Sequence, residues 1–316
     1  MEGINDICDT RLKELSTKLP AAILNSKADN TVKKYKYGFK AWCNWCNTFD
    51  SVKHIPASDI HISLYVISLI QKLCSVAKIN EVVYSIGWAH EVSGFENPCD
   101  SFLVKSVVEG ARRQLSRPCT KKEPITPEIL RQLVDRFGKT TNLYDKRIVT
   151  MCLIGYAGFL RFSEIVGIRG CDIKFFDLYV SIFIEKSKTD KYREGSYVII
   201  AKTNTPTCPV NILLDYVNCA GISLHEEKFI FRQICYCKSS NSYKLRNAGH
   251  ISYTRAREIL LEKLDILGLD KNNFGLHSLR AGGATNAANA GVSDRLLKNM
   301  GDGKLIKPKM DMLGKI

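Results

Sequence analysis

The stretch SRPCTKKEPITPE, residues 116–128, limits the fold of this chain more than any other. Its prolines at 118, 124 and 127 remove backbone donors and fix φ, so neither a helix nor a central strand can run through it. No hydrophobic period survives across it, and Lys121 and Lys122 add charge. It closes on a helix start, with Thr126 placed to cap, Pro127 at the first helical position and Glu128 in the first turn. A chain of 316 residues, 45% hydrophobic, is therefore expected to bury two separate cores, one on each side of the break. The expected division is a lead-in at 1–28, a helical domain at 29–116, a linker at 117–122, a second domain at 123–301 and a divergent tail at 302–316.

Before the break the apolar period is helical. DNTVKKYKYGFKAWCNWCNTF spaces Val32, Tyr35, Phe39, Trp42, Cys43 and Cys46 by threes and fours, with Asp29 or Asn30 as the expected N-cap. Further helices are expected at 58–76, 80–92 and 102–115, joined by HIPASDI, by 77–80 and by FENPCD. The polar lead-in ends in LPAAIL, which suits a short helix.

Beyond the break the pattern mixes. Ile129, Leu130, Leu133, Val134 and Phe137 form a stripe closed by Gly138, and 144–157 is an apolar helix. FLRFSEIVGI opens another helix after Gly158. LYVSIFI alternates, with Leu178, Val180, Ile182 and Ile184 expected on one side of a strand. SYVIIAKT is its hairpin partner around a long tip at 185–195. VNILLDYVNCAG and YTRAREILLEKLDILG are helices, and EEKFIFRQICYCKSSNSYKLRNAG reads as a strand followed by a polar loop. There is no internal repeat and no low-complexity run. The expected fold class is mainly α: an all-helical N-terminal domain and a C-terminal α+β domain with a small antiparallel sheet.

The net charge of +14 is uneven. Residues 1–120 hold 15 Lys+Arg against 12 Asp+Glu, and residues 121–316 hold 31 against 20, so the excess lies after the break. A polyanion, most commonly nucleic acid, is the natural partner for such a surface. No run approaches the roughly 18 apolar residues of a membrane span, and MEGINDICDTRLKEL lacks the apolar block of a secretory signal. An intracellular protein is expected. The 12 cysteines lie scattered in apolar or helical stretches, which favours buried thiols. Cys43 and Cys46 form a C-x-x-C, and Cys235 and Cys237 a C-x-C, but neither has a second pair at zinc-site distance. Packing is the expected role of Cys43 and Cys46. No metal and no small-molecule cofactor is expected.

Three basic elements stand out. Arg161, in GFLRFSEI, is too apolar in context to be left without an anion or a hydrogen-bonded partner. Glu164, one turn on, is a candidate, and for Arg161 taken singly a structural pair outweighs a ligand site. The hairpin tip EKSKTDKYREG offers Lys186, Lys188, Lys191 and Arg193, either as charge that blunts an exposed edge or as a basic finger for a phosphate or base. His277 and Arg280, three apart, share a helix face ahead of Ala281, Gly282, Gly283 and Ala284. Such small residues let another backbone come close and hold the pair in place. Two arginines, a lysine and a histidine around one point suit a pentacovalent phosphate: Arg forks neutralise non-bridging oxygens, Lys protonates a leaving oxygen, and His serves as donor or base. No acidic triad for Mg²⁺ stands out.

These motifs, in this order, resemble the tyrosine recombinase (phage integrase) family, most of all the recombinase-like proteins of eukaryotic mobile elements and their domesticated relatives. GFLRFSEIVGIRGCDI is similar to the first arginine motif, IEKSKTDKYREG to the β-hairpin lysine, and HSLRAGGATNAANAG to the H-x-x-R motif with its small-residue helix. The helical half, with NTVKKYKYGFKAWCNWC, resembles the SAM-like core-binding domain, and the likeness covers about residues 29–300. The resemblance implies a DNA recombination and integration protein whose two domains grip double-stranded DNA, with dimers or tetramers forming on the DNA. It implies that Arg161, Lys188, His277 and Arg280 surround the scissile phosphate, with Lys186 as the alternative lysine. DNA contacts are expected from Lys33, Lys34, Lys36 and Lys40, from Arg112 and Arg113, from Lys121 and Lys122, and from Lys186, Lys191 and Arg193. In a eukaryotic host the location would be nuclear.

The likeness stops at Gly301. The family continues with a Gly-Arg-Trp or Gly-x-His element and a short helix bearing a nucleophilic tyrosine; here Asp302, Gly303 and Lys304 follow, and the last tyrosine is Tyr253. The expectation is a phosphate cradle that binds without cleaving, and the alternative is a domesticated regulatory or interaction protein that keeps only the fold.

Overall fold

Helix placement follows local chemistry closely in the computed structural model, which describes residues 7–118, 121–190, 192–238 and 241–293. The chain divides into two compact units, 1–119 and 120–316.

In the first unit α1 (Thr10–Ser16) and α2 (Leu19–Leu24) bury no residue. The core is made by α3 (Asp29–Cys46), α4 (Asp59–Gln71), α5 (Val76–Ser93) and α6 (Phe102–Leu115). Trp42, fully buried, lies 5.5 Å from Trp45 and 5.4 Å from Tyr65, and its indole N–H donates to the carbonyl of His54 at 3.1 Å. A Cβ on Gly38 would stand 2.2 Å from Ser85 Oγ, so α3 and α5 approach as closely as this glycine allows. Cys46 is buried beside Trp42 and burial pushes its thiol up to about 12, while the half-buried Cys43 packs against the same core. Both therefore pack as expected.

The boundaries correct several expectations. Ala28 caps α3, and Asp29 sits in the first turn, where a carboxylate complements the helix dipole. The helix expected at 58–76 stops at Gln71, because Leu73 adopts φ 53. Residues 77–80, expected as a connection, belong to α5, which Ser75 starts by accepting the N–H of Lys78 at 3.3 Å. Gly94, at φ 87, ends α5 as a left-handed cap.

The second unit is built on α8 (Leu143–Ala157), which is buried on all sides from Arg147 to Gly155. Ahead of it Thr126 accepts the N–H of Ile129 at 3.3 Å to start α7 (Pro127–Leu133), which runs into a π-helical turn at Val134–Gly138. After α8 come α9 (Phe162–Val166) and an antiparallel three-stranded sheet in the order β1 (Ile173–Phe175), β2 (Tyr179–Ile184), β3 (Ser196–Ala201). β2 alternates as expected, with Val180, Ile182 and Ile184 buried, but Leu178 precedes the strand and is 78% exposed. Tyr179 pairs with Ala201 and Ile184 with Ser196, leaving 185–195 as the tip.

Among the described residues α10 (Pro209–Cys219), α11 (Tyr253–Ile266) and α12 (His277–Asn289) complete the α-helices. The expected polar loop is instead a strand. β5 (Ser242–His250) pairs antiparallel with β4 (Arg232–Cys237), with a register shift between Arg232 and Ile234. Polar residues hid it, because only one face of this ribbon touches the core. Among the described residues no helix is long and apolar enough to cross a membrane.

Candidate nucleic-acid interface

The candidate site starts where α8 ends. Phe159 turns the chain at φ 49, a left-handed conformation uncommon for an aromatic residue, and Arg161 then caps α9. The N–H of Arg161 donates to Glu164 Oε2 at 2.7 Å, and its guanidinium Nη1 donates to Oε1 at 2.8 Å. The Glu164 side chain is only 4% exposed, whereas Arg161 keeps 20% of its surface. From far along the chain, Arg280 brings its own Nη1 to the carbonyl of Phe159 at 2.7 Å and to within 3.9 Å of Glu164 Oε2. Both guanidiniums thus meet one buried carboxylate.

The arithmetic of that trio decides its role. At an effective dielectric of about 20, each ion pair gains on the order of 4 kcal/mol, and desolvating three ions takes back much of it. The trio is therefore weak as a source of stability and strong as a positioning device. It holds two like charges side by side with a net charge of +1.

α12 reaches this spot because of its glycines. A Cβ on Gly282 would stand 1.9 Å from the carbonyl oxygen of Ile125, and one on Gly283 would stand 2.1 Å from that of Tyr156. Of the expected small-residue run these two are buried, while Ala281 is exposed and Ala284 half-buried. Segment 123–126 is bound to the same helix region: Ile125 donates to the carbonyl of Ser278 at 2.9 Å, and Glu123 to that of Asn273 at 2.7 Å.

The other expected residues fall into groups. His277 opens α12 one turn before Arg280; it is exposed and its side chain makes no hydrogen bond or ion pair with any described residue. Lys186 and Lys188 lie exposed on the β2–β3 tip, and no hydrogen bond or ion pair joins them to the arginines. The tip is organised by Asp190, which accepts the N–H groups of Glu194 at 3.2 Å and Gly195 at 2.9 Å. The Gly195 bond is the main cause holding the Asp190 carboxyl below its usual range. Arg193 is exposed at φ 58, and Lys191, Gly301 and the tail lie outside the described residues.

On the first unit Lys33, Lys34, Lys36 and Lys40 are exposed along α3. Arg112 and Arg113 share Glu109, at 3.4 and 3.5 Å. Lys121 is exposed, and Lys122 donates to the carbonyl of Asn272. Tyr253, the last tyrosine, starts α11 with its ring edge-on to Phe162, centroids 5.3 Å apart, one residue from Arg161.

Two features escaped motif reading. The left-handed turn at Phe159, which presents a carbonyl to Arg280, has no sequence signal. The other had one: between Lys228 and Arg257 the chain holds seven Lys+Arg and no Asp or Glu. Among the described residues, no group of three or more His, Cys, Asp or Glu side chains could hold a metal ion.

No family model matches the chain. An integrase/recombinase XerD homolog from Selenomonas ruminantium is 33% identical over 285 residues, covering 87% of this chain and 79% of the homolog. The chain belongs to the tyrosine recombinase/integrase family. Its fold matches solved recombinases of low identity. The Tn1549 transposon integrase in complex with transposon right end DNA superposes with TM-score 0.57 at 14% identity, over 90% of each chain. A lambda integrase dimer bound to a COC′ core site gives 0.53 at 11%, over 96% of this chain and 92% of that one. The XerH site-specific recombinase bound to difH substrate gives 0.52 at 14%, over 85% and 71%. The mainly helical recombinase fold with small antiparallel sheets is thereby established for this integrase-family chain.

Proposed function

We propose that this integrase-family protein binds double-stranded DNA by seating one phosphodiester against Arg161 and Arg280, in the service of DNA recombination and integration. The observation that carries the reading is the convergence of both guanidiniums on buried Glu164. In this role the arginines neutralise the non-bridging oxygens, and Glu164 keeps the forks in place against their mutual repulsion. His277, on the same face one turn away, is the donor or base at the phosphate. Lys188, or Lys186, arrives from the hairpin tip when DNA is present, as the donor to a leaving oxygen. Lys33, Lys34, Lys36 and Lys40, with Lys121, Lys191 and Arg193, supply sequence-independent phosphate contacts, and copies assemble on the DNA. The mobile-element kinship and, in a nucleated host, a nuclear location belong to the same reading.

For the 316-residue chain we propose binding without cleavage, since its last tyrosine is Tyr253, on α11 ahead of the H-x-x-R motif. That observation also favours the second reading, a domesticated regulatory protein that keeps the fold. The test is duplex affinity of Arg161→Ala/Arg280→Ala together with a nicked suicide substrate. The expected result is a dissociation constant raised about a hundredfold or more, from two charge-assisted contacts of about 1.5–3 kcal/mol each, and no covalent adduct. Unchanged affinity makes the cradle vestigial and leaves the regulatory reading; an adduct overturns the non-cleaving assignment.

A further inference from the structure

The β4–β5 ribbon carries a second cationic region, separate from the arginine pair. Ile234 pairs with Leu245, and Tyr236 with Tyr243, so alternation places these four side chains on one face. Ile234 and Leu245 pack on the core of the second unit. Tyr236 and Tyr243, one pair further out, overhang it, 50% and 43% exposed. Their rings meet edge to face at 5.3 Å, and Tyr243 continues to Tyr144 at 6.3 Å. Arg255 donates to the Tyr144 hydroxyl at 2.8 Å, with its guanidinium 5.8 Å from the ring centroid.

Arg255 pairs with Glu258 at 3.1 Å, but the ribbon itself, 232–250, carries cations and no acid. Lys244 and Arg246 fall on the opposite face, Lys238 follows β4, and all three are exposed. Among the described residues no carboxylate pairs with any of them. They belong to the run from Lys228 to Arg257 that contains no acid. A hairpin edge meant only to stay soluble needs charge, and a groove meant only for duplex phosphates needs cations. Neither accounts for tyrosine rings left in water on the same ribbon.

A narrow ribbon with exposed rings on one face and cations on the other suits a flexible strand that offers both bases and phosphates. In a duplex those base faces are hidden by the neighbouring pairs, so only unpaired bases can use them. We infer that the β4–β5 ribbon is a binding site for single-stranded DNA, which stacks bases on Tyr236 and Tyr243 and crosses the ribbon's edge to bring its phosphates to Lys238, Lys244 and Arg246. The inference rests on the DNA-binding reading above but uses none of the residues of the arginine pair.

The experiment measures anisotropy of labelled DNA with the full chain, comparing an oligothymidylate of about 16 nucleotides with a duplex. Tyr236→Ala/Tyr243→Ala is expected to weaken oligothymidylate binding about tenfold or more, with duplex affinity changed less than about twofold. Tyr236→Phe/Tyr243→Phe keeps the rings and is expected to keep the affinity. Thermal melts confirm that each variant folds. Equal oligothymidylate affinity for the Ala variant and the parent chain overturns the site, as does an equal loss on both DNAs. So does an effect of the Ala variant on oligomeric state alone, which would mark a protein-binding face. Should the parent chain bind the duplex but not the oligothymidylate, only this inference falls; should it bind neither, the DNA reading falls with it.

Discussion

The arginine pair and the β4–β5 ribbon handle positive charge in opposite ways. Arg161 and Arg280 are two cations held around one buried carboxylate, Arg280 on a helix whose glycines bring it within contact of backbone carbonyls. The run 228–257 holds seven cations and no acid; Lys228 and Arg255 pair with Glu226 and Glu258 outside it, while Lys238, Lys244 and Arg246 stay exposed on the ribbon that also bears the half-exposed tyrosines. A buried counter-charge sacrifices net potential to fix geometry, which is what addressing one phosphate requires. Exposed cations held by no carboxylate keep their potential and leave geometry loose, which suits a flexible, unpaired strand.

If the contrast is sound, the largest stability effect should come from the carboxylate. Glu164→Gln keeps the size of the side chain but leaves two guanidiniums facing each other without compensation. Chemical denaturation should show a loss of about 3 kcal/mol, the scale of breaking a buried ion pair from one side. A loss near zero would mean that the trio is solvated like the ribbon and would erase the distinction. Gly283→Ala comes next. Its methyl meets the Tyr156 carbonyl and the Phe159 ring, so α12 must shift. A loss of about 1–3 kcal/mol is expected, together with weaker duplex binding, because Arg280 moves with the helix. Full retention of duplex affinity would show that close seating is not what positions Arg280.

The smallest effect belongs to the β2–β3 tip, which shares exposure with the ribbon but has an acid organising it. The Asp190 carboxyl titrates below its ordinary 3.8 because it accepts backbone N–H groups, Gly195 first. A depressed folded value means that the ordering is present above about 3.8 and is lost as pH falls through the folded pKa. Hydrogen exchange at Glu194 and Gly195, corrected for intrinsic rate, should therefore lose protection at low pH, and Asp190→Asn should weaken it at neutral pH. The melting temperature should barely move. No change in exchange for Asp190→Asn would mean that the tip is held by other contacts.

Much of this was legible before any coordinates. The Thr126–Pro127 start of α7, the extent of α6 and the alternation of Val180, Ile182 and Ile184 follow from capping and periodicity, which are local. β5 was not legible, since among its residues whose side chains are described only Leu245 packs on the core, and the segment reads as loop. Leu73 was not either, because a left-handed leucine leaves no mark in composition. For the site, the apolar context of Arg161 in GFLRFSEI called for an anion or a hydrogen-bonded partner, and Glu164 lay within reach on helical spacing alone.

What the amino-acid order determined by itself was the break at 116–128, the helices on either side of it, and a helix too small in its side chains to stand alone. Whether Arg280 would share the carboxylate of Arg161 could only be decided in three dimensions. That meeting depends on Gly282 and Gly283 lying against Ile125 and Tyr156, and on Phe159 turning its carbonyl toward the guanidinium. Periodicity reports which residues share a face within one element. It holds no information on the distance between charges in different elements, which is set by how closely those elements pack.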